Sequence, residues 1–325
     1  MPLAKGRLFL YLIELLIGLL MLVGGAELLV RGGAQLALAF RVPAMVVGLT
    51  IVAFGTSTPE LATSLSAAFQ ASTEMALANV NGSNIANVLL VLGAAALVRP
   101  LCIDRSLLRR EIPVLVLLQT IVLVACMNGV IGPWEGLVFL IVGLGYNGLL
   151  LWQTFRRGRA GLGDLDEELL DEVGEPNGSL GRNVAYLVVG IFILVGGAWL
   201  FIEGSISLAE ILGFSDRFIG LSCVALGTSA PELVTAIVSC YRGQVDLAIG
   251  NSIGSNILNI AMVLALTAMV SPVHIADVGA WYDLGMALAV ALLMLIMVAA
   301  GGRLGRPAGL AMLLGYGLFI VLSAN

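Results

Sequence analysis

The sequence predicts an all-α polytopic membrane protein with ten transmembrane helices in two inverted-topology five-helix repeats. Three observations predict it: an apolar composition, ten apolar runs separated by polar breaks, and a duplication relating one half of the chain to the other. Of 325 residues, 59% are hydrophobic and 11% charged. Soluble domains have about 45–50% apolar and about 25% charged residues. One soluble core cannot hide that surplus, which is enough for roughly nine or ten spans of about 20 residues. The composition excludes a soluble enzyme, a nucleic-acid binder and a disordered scaffold.

The runs place spans near 8–30, 44–70, 74–97, 112–128, 134–153, 184–208, 217–240, 246–270, 282–299 and 308–323. The first follows Lys5 and Arg7, as the core of a signal peptide would. Its length and lack of a clear cleavage site make it a span instead. Between the fifth and sixth spans the chain turns hydrophilic, with Asp164, Asp166, Glu167, Glu168, Asp171, Glu172, Glu175 and Pro176. Such a stretch has too little apolar surface to fold alone. It divides the chain into a first five-helix repeat at 1–154, an acidic linker at 155–183 and a second repeat at 184–325.

The two repeats share sequence at one constant offset. Residues 48–63 read GLTIVAFGTSTPELAT and residues 220–235 read GLSCVALGTSAPELVT, with eleven of sixteen positions identical at an offset of 172. The same offset aligns Asn79, Gly82, Ser83, Asn84, Ile85 and Asn87 with Asn251, Gly254, Ser255, Asn256, Ile257 and Asn259. It also aligns Gly18 and Val23–Ala26 with Gly190 and Val195–Ala198. Chance similarity between apolar segments does not keep such a register without a gap, so an internal duplication explains it. An odd number of spans per copy makes the second copy enter the membrane from the opposite side, a plan recurrent in secondary transporters.

Charge placement orients the layout. With the N-terminus outside, all of the 16 basic residues except Lys5, Arg7 and Arg217 fall in cytoplasmic loops. The positive-inside rule therefore puts both termini outside and the acidic linker in the cytoplasm.

The candidate site lies within the spans. Glu60 and Glu232 hold equivalent positions in spans two and seven. A carboxylate in hydrocarbon costs at least a few kcal/mol, so it faces a cavity or a partner. Each follows a proline, in Gly55-Thr56-Ser57-Thr58-Pro59-Glu60 and in Gly227-Thr228-Ser229-Ala230-Pro231-Glu232. Proline donates no hydrogen bond and clashes with the carbonyl four residues back, which frees carbonyls near Gly55 and Gly227. Thr56 and Ser57, and likewise Thr228 and Ser229, precede the acid by four and three residues and share its helix face. In spans three and eight, Ser83 with Asn87 and Ser255 with Asn259 are four apart and project from one face. Gly82 and Gly254 allow another helix to approach closely. Asn79, Asn81, Asn84, Asn251 and Asn256 are read as interhelical hydrogen-bonding residues.

Carboxylates, amides, hydroxyls and backbone carbonyls are all hard oxygen donors, which suit Ca²⁺ or Na⁺. The lone His274 excludes most zinc sites, and Cys102, Cys126, Cys223 and Cys240 form no C-x-x-C pair and are read as small apolar residues. Gly250-Asn251-Ser252-Ile253-Gly254 fits a nucleophile pattern, but it lies in an apolar helix rather than at a strand-to-helix turn. Glu74 and Asp246 open spans three and eight as partners of the helix dipole. Two buried acids left without cations are costly, so the carrier should cross only when loaded, which makes it an exchanger.

The GTSTPE and GTSAPE segments, each followed by a G-S-N-I-x-N stretch, resemble the cation/calcium exchanger superfamily and its prokaryotic sodium/calcium exchanger branch. The resemblance covers nearly the whole chain. It implies an antiporter rather than an enzyme, with Ca²⁺ and Na⁺ as transported ions and no prosthetic group. It puts calcium ligands on Glu60, Glu232 and the Thr56 and Thr228 carbonyls. It puts sodium ligands on Thr56, Ser57, Ser83 and the Ala53 carbonyl, and on Thr228, Ser229, Ser255 and the Ala225 carbonyl. The polar mid-membrane position falls on Asn87 and Asn259, where some relatives carry an aspartate at the second. Two other readings stay open on sequence: a cation/proton exchanger on the same fold, and a passive channel lined by the paired acids. The sequence sets no oligomeric state.

Overall fold

The computed structural model describes residues 2–70, 72–103, 105–158, 179–212, 225–275 and 278–323. Most of the expected linker, the start of the expected seventh span, Arg159, Arg217 and Cys223 lie outside the described residues. The helices are α1 (Pro2–Phe40), α2 (Ala44–Thr56), α3 (Thr58–Phe69), α4 (Thr73–Val98), α5 (Glu111–Ala125) and α6 (Pro133–Gly158). They continue with α7 (Leu180–Ile211), α8 (Ala225–Thr228), α9 (Ala230–Tyr241), α10 (Val245–Val270), α11 (Val278–Ala299) and α12 (Arg306–Ser323). The edges of the expected linker are helical, because α6 runs to Gly158 and α7 starts at Leu180. Ser179 caps α7 by accepting from the Arg182 backbone N–H at 3.4 Å.

Among the described residues, eight helices are long and apolar enough to cross a membrane, or nine when α2 and α3 count as one bent span. The remaining expected span, the seventh at 217–240, is represented by α8 and the short apolar α9, and its residues 217–224 lie outside the described residues. The molecule is therefore a mostly helical, multi-pass membrane protein. Its outer helices expose large apolar side chains, among them Leu20, Ile141, Phe192, Trp199, Ile296 and Leu314, which in water would be costly and in lipid are not.

Burial separates a centre from a rim. In α4 and α10, 78% of the most apolar window is buried, against 22–39% in the other spanning helices. Both central helices contain a π-helical stretch, at Asn87–Leu92 and at Asn259–Leu264, the same positions once the offset is applied.

α1 packs against α7 along a row of glycines. A Cβ at Gly18 would meet Phe201 N at 2.7 Å, one at Gly25 would meet Leu194 N at 2.6 Å, and one at Gly32 would meet Leu187 N at 2.6 Å. The partner numbers fall as the α1 numbers rise, so the two helices run antiparallel. From the other side, Gly190 faces Leu29 and Gly25, and Gly197 faces Leu22 and Gly18. Only glycine leaves room for backbones this close.

Two short ladders, which the apolar runs did not foretell, close the ends. Leu101 and Cys102 (β1) pair antiparallel with Leu304 and Arg303 (β4), and Val130 and Ile131 (β2) pair with His274 and Val273 (β3). They satisfy backbone groups where the chain turns between helices.

Candidate functional site

The break between α2 and α3 falls at Ser57, where the helix axis bends by 43°. Its backbone has φ −81° and ψ 8°, and Ser229, at the matching break between α8 and α9, has φ −85° and ψ 2°. The cause is local. Pro59 and Pro231 stand in the first turn after each break and have no N–H for the carbonyl four residues back. Each break leaves the acid one residue past the proline, in the first turn of the new helix. A carboxylate there is favoured by the N-terminal end of the helix dipole.

Glu60 and Glu232 are both fully buried, at 0% exposure. Thr56, Ser57, Thr228, Ser229, Ser83, Ser255, Asn87 and Asn259 are buried around them. One Glu232 oxygen accepts from Ser57 Oγ and from Ser255 Oγ, each at 3.4 Å. The Glu60 carboxylate lies within electrostatic reach of Ser83 and of Glu232, yet neither of its oxygens accepts a hydrogen bond. Ser229 donates to Ser83 Oγ at 3.4 Å. The breaks thus bring hydroxyls of one half to those of the other. The Ala53 carbonyl accepts from the Ser57 N–H at 2.9 Å and the Thr56 hydroxyl at 3.3 Å. Ala225 opens α8 at the matching position.

The amides form a second layer. Asn87 Nδ2 donates to Asn256 Oδ1 at 2.9 Å, and Asn259 Nδ2 donates to Asn84 Oδ1 at 3.1 Å. These two contacts exchange when 172 is added to one member and subtracted from the other. Both donors keep an Oδ1 that accepts nothing.

Five buried oxygens of the expected ligands therefore lack donors: both of Glu60, one of Glu232 and one each of Asn87 and Asn259. A buried acceptor with no donor costs about 1–3 kcal/mol, and more when charged. On the expected ligands themselves the surplus is of acceptors, which a bound cation satisfies, while the neighbouring Asn81, Asn84 and Asn251 each keep an Nδ2 without an acceptor. Among the described residues, no group of three or more His, Cys, Asp or Glu is placed to hold a metal.

Some contacts go beyond the sequence reading. Thr56 donates to Asn251 Oδ1 at 3.0 Å, and the equivalent Thr228 donates to Asn79 Oδ1 at 3.4 Å. Asn79 also donates to the Glu60 carbonyl at 3.3 Å and to Ser64 at 2.9 Å. Asn79, Asn84, Asn251 and Asn256 are interhelical hydrogen-bonding residues, as expected, but each contacts an expected ligand directly. The signal was present in the strict pairing of these asparagines at the common offset. Ser252 donates its hydroxyl to the Asn87 carbonyl at 2.6 Å, so it packs helices rather than acting as a nucleophile. Gly254 permits the expected close approach, since a Cβ there would sit 2.4 Å from the Leu49 carbonyl. Gly82 has no described atom within 4 Å, and the residue equivalent to Leu49, Leu221, lies outside the described residues. Cys126 and Cys240 are buried and Cys102 is exposed, all as free thiols.

A multi-pass helical bundle with broken helices around a buried cluster of carboxylates, hydroxyls and amides is the architecture of an ion transporter. Comparison with known proteins gives the particular kind. The family model described as sodium/calcium exchanger protein matches residues 10–152 and 182–325. Sodium/calcium exchanger MaX1 of Methanosarcina acetivorans is 31% identical over 95% of this chain and 97% of its own. Inner membrane protein YrbG of Escherichia coli is 33% identical over 87% of each. The solved structure of the sodium-calcium exchanger NCX_Mj soaked with Na⁺ and Sr²⁺ superposes with a TM-score of 0.82 at 29% identity, covering 97% of this chain and 98% of the other. The chain belongs to the sodium/calcium exchanger family, whose members are transporters and not enzymes.

Proposed function

We propose that this protein is a secondary active antiporter that exchanges Ca²⁺ for Na⁺ by alternating access at a midplane site built from Glu60 and Glu232. The observation that carries the reading is the surplus of buried, donorless oxygens on Glu60, Glu232, Asn87 and Asn259. The ligand set proposed around the acids is Thr56, Ser57, Ser83, Thr228, Ser229 and Ser255, with the Ala53 and Ala225 carbonyls. The charge of two carboxylates is neutralised by one Ca²⁺ or by two Na⁺. Left without cations in a water-poor setting, the pair is costly, so the unloaded site resists occlusion and uncoupled leak is suppressed.

Ten helices in two inverted repeats, 1–154 and 184–325, complete the proposal. Antiparallel packing of the equivalent helices α1 and α7 supports it. So do the exchanging contact pairs Thr56–Asn251 with Thr228–Asn79 and Asn87–Asn256 with Asn259–Asn84. The same plan places both termini outside, the 155–183 linker in the cytoplasm and the chain in a prokaryotic inner membrane.

The test is ⁴⁵Ca²⁺ flux in proteoliposomes with and without an opposed Na⁺ gradient. Uptake should require the gradient and vanish in Glu60→Gln and Glu232→Gln. Flux driven by a proton gradient alone would indicate a cation/proton exchanger, and flux without any counter-ion a channel.

A further inference from the structure

Polar groups continue along the face of α9 beyond its acid. Thr235 follows Glu232 by three residues and Ser239 follows Thr235 by four, so the three side chains share one helix face. They form a track that runs about 10 Å from the cation site toward the C-terminal end of α9. Thr235 and Ser239 are both fully buried, and neither Thr235 Oγ1 nor Ser239 Oγ has a hydrogen-bond partner. Buried hydroxyls ordinarily find one, and in a helix the carbonyl four residues back is within reach. Thr50, Thr58, Thr120, Thr154 and the equally buried Thr267 all donate to that carbonyl, at 2.7–3.0 Å.

The track ends beside an opening. The Gln244 backbone N–H donates to the Ser239 carbonyl at 2.8 Å. Gln244 in turn lines a cavity of about 420 Å³ between α1, the first turns of α7 and the turn joining α9 to α10. Arg31 and Arg242 also line the cavity, and Glu27 holds both of them. The duplication does not account for the track. At the offset of 172, Thr235 corresponds to a half-buried Thr63 and Ser239 to Ala67, so the second hydroxyl is peculiar to α9.

We propose that Thr235 and Ser239 form a transit station for Na⁺ and Ca²⁺, through which the ions pass between Glu232 and the cavity at Gln244. The proposal rests on the antiport reading above and extends it from the binding site to the route. The chemistry suits passage rather than storage. A hydroxyl oxygen replaces part of a cation's hydration shell without adding charge, and an ion must leave each step of a route as readily as it enters. Hydroxyls that bond to nothing else take up a cation without first breaking a hydrogen bond.

The experiment uses the full-length protein. Thr235→Val combined with Ser239→Ala should slow Na⁺-driven ⁴⁵Ca²⁺ flux about tenfold while leaving equilibrium ⁴⁵Ca²⁺ binding by the detergent-purified protein unchanged, because the station lies on the route and not at the acids. A packing role predicts otherwise: loss of two buried, unbonded hydroxyls stabilises the fold and leaves the rate alone. The second measurement uses Ag⁺, a thiol-seeking monovalent cation, on protein whose Cys102, Cys126, Cys223 and Cys240 are replaced by alanine. Ag⁺ should block exchange by Ser239→Cys in that background and spare Ile237→Cys, which lies on the other side of α9. An unchanged rate, a loss of binding that matches the loss of rate, or Ag⁺ block at both thiols or at neither overturns the station while the antiport reading stands. Absence of Na⁺-driven flux in the unaltered protein overturns the antiport reading and the station with it.

Discussion

Ser57 donates its hydroxyl to the carboxylate of Glu232, so a residue at the helix break of one half is a partner of the acid in the other. Ser255 completes the pair of donors on the same oxygen. The Glu232 charge is therefore anchored by hydroxyls from α10 and from the α2–α3 break, and its free oxygen faces no donor.

Ser57→Ala should raise the Na⁺ concentration needed for half-maximal exchange about tenfold or more, because removing one hydrogen bond to a charged group costs about 1.5–3 kcal/mol. Combined with Glu232→Gln, it should add little to the loss from the acid alone. A double-mutant cycle on ⁴⁵Ca²⁺ flux checks this, and strict additivity would show that the two groups do not cooperate.

Thr56→Val keeps the shape of the side chain and removes the hydroxyl that donates to Asn251. It leaves a buried amide oxygen unpaired at a cost of about 1–3 kcal/mol. Cation affinity measured by competition should fall about tenfold, while thermal unfolding in detergent shifts only modestly. A large loss of stability with unchanged affinity would make Thr56 a packing residue.

Pro59→Ala returns an N–H to the position four residues after Gly55 and lets α2 and α3 continue as one helix. Exchange should slow by about tenfold as the 43° bend relaxes, without loss of folded protein. Unaltered turnover would show that the break at Ser57 is set by packing and not by the proline.

Gly254→Ala puts a Cβ 2.4 Å from the Leu49 carbonyl, against backbone that cannot move away cheaply. Destabilisation of about 1–3 kcal/mol is expected from such overpacking, read as a lower unfolding temperature.

Legibility in the sequence followed locality. Glu60 and Glu232, with Thr56, Ser57, Thr228 and Ser229 one helical turn earlier, stood out because proline and acid interrupt apolar runs twice at one offset. The break at Ser57 was legible for the same reason. The partners of Thr56 and Thr228 were not, because Asn251 and Asn79 lie 195 and 149 residues away and an asparagine in a membrane helix ordinarily just joins helices. The two-residue strands escaped notice because so short a pairing has no periodic pattern to detect. The extent of α1, Pro2–Phe40 rather than 8–30, was not legible because Arg31 with Gly32 and Gly33, and Lys5 to Arg7 at the other end, interrupt the apolar run without interrupting the helix.

The π-helical stretches at Asn87–Leu92 and Asn259–Leu264 each accommodate one residue more than an α-helical path would need. Excising a single residue from either would let the chain relax to ordinary winding. The segments on either side of the cut would then keep their facing, whereas a deletion elsewhere in the same helix would rotate one side by about 100° about the axis relative to the other. Only the latter would swing Ser83 or Ser255 away from the acids while leaving the chain's composition and hydropathy almost untouched. Length variation is thus absorbed at these two points and disruptive at their neighbours, a distinction invisible to any measure that counts only which residues are present.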